Sequence, residues 1–156
     1  MRLSREFKRF WKVFLLRVEV EVRPTESSDK VSRAVKNVLD IDLVEVGLSE
    51  GYKLLVGESN SIEALRKLHQ YLRQQRILDS ARAYMLKNVR GNSLELKLHK
   101  QAAFAGHVSL VTYDEESPLG PIRIIVVSDR IGELIDWLAP PTSQGKPLWE
   151  KPPPKV

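Results

Sequence analysis

The sequence contains no cysteine among its 156 residues, which excludes disulfides, thiolate metal ligands and a cysteine nucleophile. No stretch approaches the roughly eighteen consecutive apolar residues of a membrane-spanning helix. The basic N-terminus is followed only by Val13-Phe14-Leu15-Leu16, stopped by Arg17, too short for a signal-peptide core. A soluble, cytoplasmic protein is therefore expected. Glycine is sparse and forms neither a phosphate loop nor a dinucleotide-binding pattern. His99 and His107 have a spacing that fits no compact metal site, and no third ligand is implied, so no metal or cofactor is expected. Ser109 and Ser117 lack a spacing that ties them to a base, and a non-catalytic protein is expected.

What is present is enough apolar residue, 42%, for one ordinary core, and an excess of positive charge. Lys and Arg number 25 against 20 Asp and Glu, a net +5. The excess lies at the ends. Residues 1–12 carry five basic groups against Glu6, and 139–156 carry three against Glu150, whereas 13–138 hold 17 basic and 18 acidic groups. Within that near-neutral body, Arg66 to Lys100 gathers nine cations against Asp79 and Glu95. Such asymmetry suits a polyanion, and equally a solvated helical face.

Periodicity sets out the elements. Leu16 to Arg23 alternates as a half-buried strand, and Ser27 or Ser28 caps a helix bearing Val31, Ala34, Val35, Val38 and Leu39. Ile41 to Leu48 and Tyr52 to Val56 form a hairpin across Ser49-Glu50-Gly51. Asn60 with Glu63 reads as a capping box. In the helical stretch that follows, the stripe Ile62, Leu65, Leu68, Leu72 lies opposite the stripe Ile77, Leu78, Ala81, Met85. A break near Gln74 to Arg76 resolves the conflict. Leu94 to Leu98, His107 to Tyr113 and Ile122 to Val127 read as strands, and 130–138 as a short helix. Six of nine prolines fall between 140 and 154, which predicts an extended or disordered tail. The expectation is an α+β fold of order β-α-β-β-α-α-β-β-β-α, with a mostly antiparallel or mixed sheet and helices on one face. Its parts are a basic arm at 1–12, a single domain at 13–140 and a Pro-rich tail at 141–156.

Several segments carry a resemblance: Arg23-Pro24-Thr25-Glu26, Gly57-Glu58-Ser59, the run Leu72 to Asp79, the run Leu98 to Val108, the run Glu116 to Ile122, and Asp136-Trp137-Leu138-Ala139-Pro140. Together, from about residue 18 to 140, they resemble an uncharacterised archaeal family of predicted RNA-binding proteins. The fold of that family is similar to the large-subunit ribosomal protein that binds five-S ribosomal RNA. The resemblance implies an α+β fold and RNA as partner, ribosomal or otherwise structured, with a homodimer left open.

The candidate RNA-binding residues are Arg66, Lys67, Arg73, Arg76, Lys87, Arg90, His99, Lys100, Gln101 and His107. Arg66, His69, Arg73 and Arg76 share one helical stripe, where a row of cations can meet successive phosphates. For Arg76 and Arg82, local pairing with Asp79 is the favoured reading over a phosphate contact. His99-Lys100-Gln101 leads into small residues ending at Gly106, which suits close backbone approach by a ligand or a tight packing crossover. The acidic loop at Asp114-Glu115-Glu116 is expected to point away from a basic face. Trp137 is expected in the core. The aromatic and basic arm at 1–12 could fold onto RNA or an anionic surface or pack on a partner subunit, and disorder is the equal alternative.

Overall fold

Strict alternation gives Phe14–Val22 (β1) two unlike faces. Phe14, Leu16, Val18, Val20 and Val22 are buried, while Leu15, Arg17, Glu19 and Glu21 stay half-buried. Ser93–Leu98 (β5) and Ile122–Ser128 (β6) repeat this pattern. With Val44–Gly47 (β2), Lys53–Ser59 (β3) and Val89–Arg90 (β4) they make a six-stranded antiparallel sheet of order β2-β3-β1-β6-β5-β4. Val18 stands between Gly57 and Ile124 in the register. A slip of one residue would turn Arg17 and Glu19 into the core, so burial fixes this pairing. The structure, a computed structural model, describes residues 13–155. The expected basic arm at 1–12 lies outside the described residues.

Five α-helices pack against the sheet among the described residues: Ser28–Val38 (α1), Arg66–Gln74 (α2), Leu78–Asn88 (α3), Lys100–Phe104 (α4) and Ile131–Leu138 (α5). Their buried residues, among them Val35, Leu72, Met85, Leu134 and Trp137, join the inward strand residues in one cluster. The helices therefore share one face of the sheet. On the other face, Arg123 pairs with Glu95 at 3.2 Å, and Asp114 pairs with Lys97 at 2.9 Å and with Arg123 at 3.3 Å. The acidic loop thus folds toward the face without helices, where cationic side chains hold the Asp114 carboxyl below its usual range.

The break between the two opposed apolar stripes falls at Gln75 to Ile77. Arg76 adopts φ 57°, and the Ile77 amide donates to the Leu72 carbonyl at 3.1 Å, a helix stop of the kind glycine usually serves. Ser61 caps the 3-10 turn Ile62–Leu65 that leads into α2, its Oγ accepting from the Glu63 amide at 3.2 Å, one residue beyond the expected Asn60.

One expectation is corrected and another is narrowed. His107 to Tyr113 is not a strand: Leu110 makes a single bridge to Leu98, and the chain then enters a short turn at Asp114–Glu116. The preceding small residues form α4, which the sequence reading left without an element. Of the two readings of the Pro-rich tail, extended or disordered, the structure has the extended one, docked on the body. Thr142–Ser143 (β7) and Lys146–Pro147 (β8) pair as a hairpin, the Thr142 hydroxyl donates to Asp79, Glu150 binds Arg73, and Pro154 is buried.

Candidate nucleic-acid interface

In α1, burial of Val31, Ala34, Val35 and Val38 turns Lys30, Arg33 and Lys36 outward. Those three cations are exposed and form no ion pair among the described residues. Beside α1 lies α4, joined to it where the Asn37 side-chain amide donates to the Ala103 and Phe104 carbonyls at 3.0 and 3.2 Å. The small residues of α4 permit this close approach. Its Phe104 remains 40% exposed, next to exposed Gln101. On the α2 side, Lys67 Nζ donates to the Lys36 carbonyl at 2.8 Å, closing the end of α1.

Between α1 and α4 opens a cleft of about 300 Å³, lined by Thr25, Ser27, Lys30, Val31, Gln101 and Phe104 among others. At its floor Lys100 is only 3% exposed. Its ammonium donates to the Glu21 carbonyl at 2.8 Å, to both Glu26 carboxylate oxygens at 3.0 and 3.2 Å, and to the Leu119 carbonyl. Burial pushes the Lys100 ammonium below the usual lysine range, against the opposing pull of Glu26. This pair ties three segments together: the end of β1, the turn into α1 and the loop before β6. Lys100 is thus a structural anchor and offers no proton donor to a ligand.

The other candidates divide. Arg73 is spent internally: its guanidinium donates to the His69, Leu138 and Trp137 carbonyls at 2.9–3.1 Å and to Glu150 at 2.7 and 2.9 Å. Arg66 is bound through two nitrogens to Glu63 at 2.8 and 3.0 Å, and lies 5.8 Å from the Trp137 ring centre. Arg82 pairs with Asp136 at 3.0 Å rather than with Asp79, so the expected local cluster does not form. Arg76 is exposed at the helix break. Lys87 and Arg90 are exposed beside β4, at the sheet edge opposite β2. His99 caps α4, its Nδ1 accepting from the Ala102 amide at 3.1 Å. His107 is exposed, 3.5 Å from the Gln75 amide nitrogen.

Lys30, Arg33, Lys36, Phe104 and Gln75 were not among the residues singled out from the sequence. The spacing of the three α1 cations was a legible signal, but the charge tally favoured residues 66–100. Gln75 clips the loop after α4: its side chain donates to the Val108 carbonyl at 2.8 Å and accepts from the Val108 amide at 2.7 Å. His69 stacks on the buried Trp137 at 4.6 Å between ring centres. Desolvation, aided by Arg73, lowers its pKa to about 4, so it is neutral at physiological pH.

The profile of a protein family described as RNA binding matches residues 16–128. A UPF0201 protein of Aeropyrum pernix is 47% identical over 135 residues, covering 86% of this chain and 90% of that protein. The chain belongs to this archaeal family. Another UPF0201 protein, from Sulfurisphaera tokodaii, is 46% identical over 135 residues, covering 86% and 93% of the two chains. The crystal structure of a UPF0201 protein from Methanococcus jannaschii is similar with a TM-score of 0.78 at 28% identity, over 86% of this chain and 98% of that one. The UPF0201 family thus supplies both the sequence match and the fold match.

Proposed function

We propose that the protein is a non-catalytic RNA-binding protein whose contact surface is the α1–α4 side of its helical layer. The observation that carries this reading is the row Lys30, Arg33 and Lys36, without counter-ions among the described residues, beside an exposed Phe104 and the cleft it helps to line. Cations at this spacing neutralise successive phosphates, and an unstacked base finds an aromatic face in Phe104 and amide groups in Gln101. Lys67, Gln101 and His107 border this surface, whereas Arg76, Lys87 and Arg90 extend the cationic surface elsewhere. Family membership supports RNA as the ligand. Likeness to the five-S-RNA-binding ribosomal protein fold would make a structured ribosomal RNA the first ligand to try, in the cytoplasm.

Ultraviolet crosslinking of the full chain to oligoribonucleotides, single-stranded and hairpin, tests the placement. Peptide mapping by mass spectrometry is expected to find attachment within 30–37 and 99–107. Attachment confined to residues 1–12, or to the sheet face bearing Arg123, would overturn it.

A further inference from the structure

The two edges of the sheet are unlike. β4 is two residues long and ends in Arg90, a short, charged edge of the kind that resists further pairing. At the other edge, all four residues of β2 are exposed, and none of them is lysine or proline. Val44 and Val46 are 66% and 44% exposed, and Leu48 and Tyr52 extend the apolar patch around the hairpin. Among the described residues no strand pairs with the outer side of β2.

The hairpin register dictates what that edge can accept. The Leu48 amide donates to the Tyr52 carbonyl at 3.0 Å, and the pairs run Val46 to Leu54 and Val44 to Val56. Antiparallel alternation therefore turns the amides and carbonyls of Glu45 and Gly47 outward. We propose that two copies of the chain join through these β2 edges about a two-fold axis, merging their sheets. A self-pairing that uses the outward groups of both residues sets Val46 opposite Val46 and Glu45 opposite Gly47. On the face without helices, the row across the axis is then Leu54, Val46, Val46, Leu54, and Val44 meets the second copy's Leu48. On the helix face, each Glu45 meets a residue with no side chain, whose added Cβ would find open space. Beyond Gly47 stands the second copy's Lys53, its β3 neighbour in the register. The charges are complementary, because Glu45 already lies 3.7 Å from the Lys53 of its own copy and accepts from Ser28 at 2.5 Å. The register that would set Glu45 against Glu45 also uses outward backbone groups, but it opposes like charges on the axis.

The edge patch is small beside the roughly 1,200–2,000 Å² of a stable interface, so dissociation in the micromolar range is expected. Sedimentation velocity of the full chain across a dilution series is expected to show a monomer–dimer equilibrium. Val46→Lys and Val46→Glu, each placing like charges on the axis, should separately raise the dissociation constant at least about a hundredfold. Mixed in equal amounts, the two variants should recover the dimer, which a folding defect would not allow. Gly47→Pro, which removes an outward amide without adding charge, should also give monomer. A wild-type chain monomeric at every concentration overturns the proposal and leaves the edge for a strand of another protein. A dimer retained by Val46→Lys overturns it in favour of another surface.

Discussion

Replacing Arg73 by alanine removes five hydrogen bonds at once. Two of them satisfy the Trp137 and Leu138 carbonyls at the end of α5, and two hold Glu150 of the C-terminal segment. The Arg73 side chain is 20% exposed, whereas that of Glu150 is 49% exposed, so the ion pair itself contributes little. The charge-assisted bonds to carbonyls contribute more, each about 1.5–3 kcal/mol, less what water restores after truncation. A net loss of about 3 kcal/mol follows, which for a chain of this size lowers Tm by roughly 6–12 °C. Arg66→Ala, on the same helix but in an exposed pair, is the control and should leave Tm nearly unchanged. Thermal melting by circular dichroism reads both. Below its melting range, Arg73→Ala should retain RNA affinity, because no nitrogen of that guanidinium is left for phosphate. An Arg73→Ala protein that melts with the wild type, yet binds RNA poorly, would refute this assignment and restore Arg73 to the interface.

Three further outcomes are expected. Lys100→Met leaves Glu26 buried without its partner and should cost about 3–5 kcal/mol in denaturant unfolding, much of it recovered by adding Glu26→Leu. If the single variant unfolds like wild type, Lys100 is not the anchor described. The folded His69 titrates near 4 against 6.5 when unfolded, so between those values the unfolded chain binds the extra proton. Stability should therefore fall as pH drops from 6.5 to 4, and His69→Phe, which keeps an aromatic partner for Trp137, should reduce that fall; an unchanged pH profile contradicts it. Arg76→Gly should raise the denaturant midpoint by an amount equivalent to about 1 kcal/mol, since φ 57° suits glycine better. A lowered midpoint would show that the arginine side chain contributes more than its backbone strain costs.

The sheet was legible because alternation has one structural meaning: Leu16, Val18, Val20 and Val22 could only be the inner face of a half-buried strand. The helix break was legible because two opposed apolar stripes cannot both face one core. The run from His107 to Tyr113 misled because its β-rich composition says nothing of Gln75, which holds Val108 from 33 positions away. Proline content suggested an extended or disordered tail and could not show that it docks, for the same reason. What docks it is a carboxylate reached by Arg73 across 77 positions. Arg73 and Lys100 looked like ligand-binding cations because their partners, Glu150 and Glu26, are remote in the sequence. Local charge tallies detect neighbours, not long-range pairs. They therefore favoured residues 66–100 over the outward row on α1.

The salt dependence of RNA affinity, measured on the full chain and on the Lys30→Ala, Arg33→Ala, Lys36→Ala triple variant, tests the proposed contact surface most directly. Each phosphate neutralised on a single strand adds about −0.7 to the slope of log K against log salt, so losing three contacts should flatten it by about 2. Weaker binding with that flatter slope and an unchanged Tm is the predicted result. Equal affinity and equal slope in the two proteins would place the RNA contact, if there is one, away from α1.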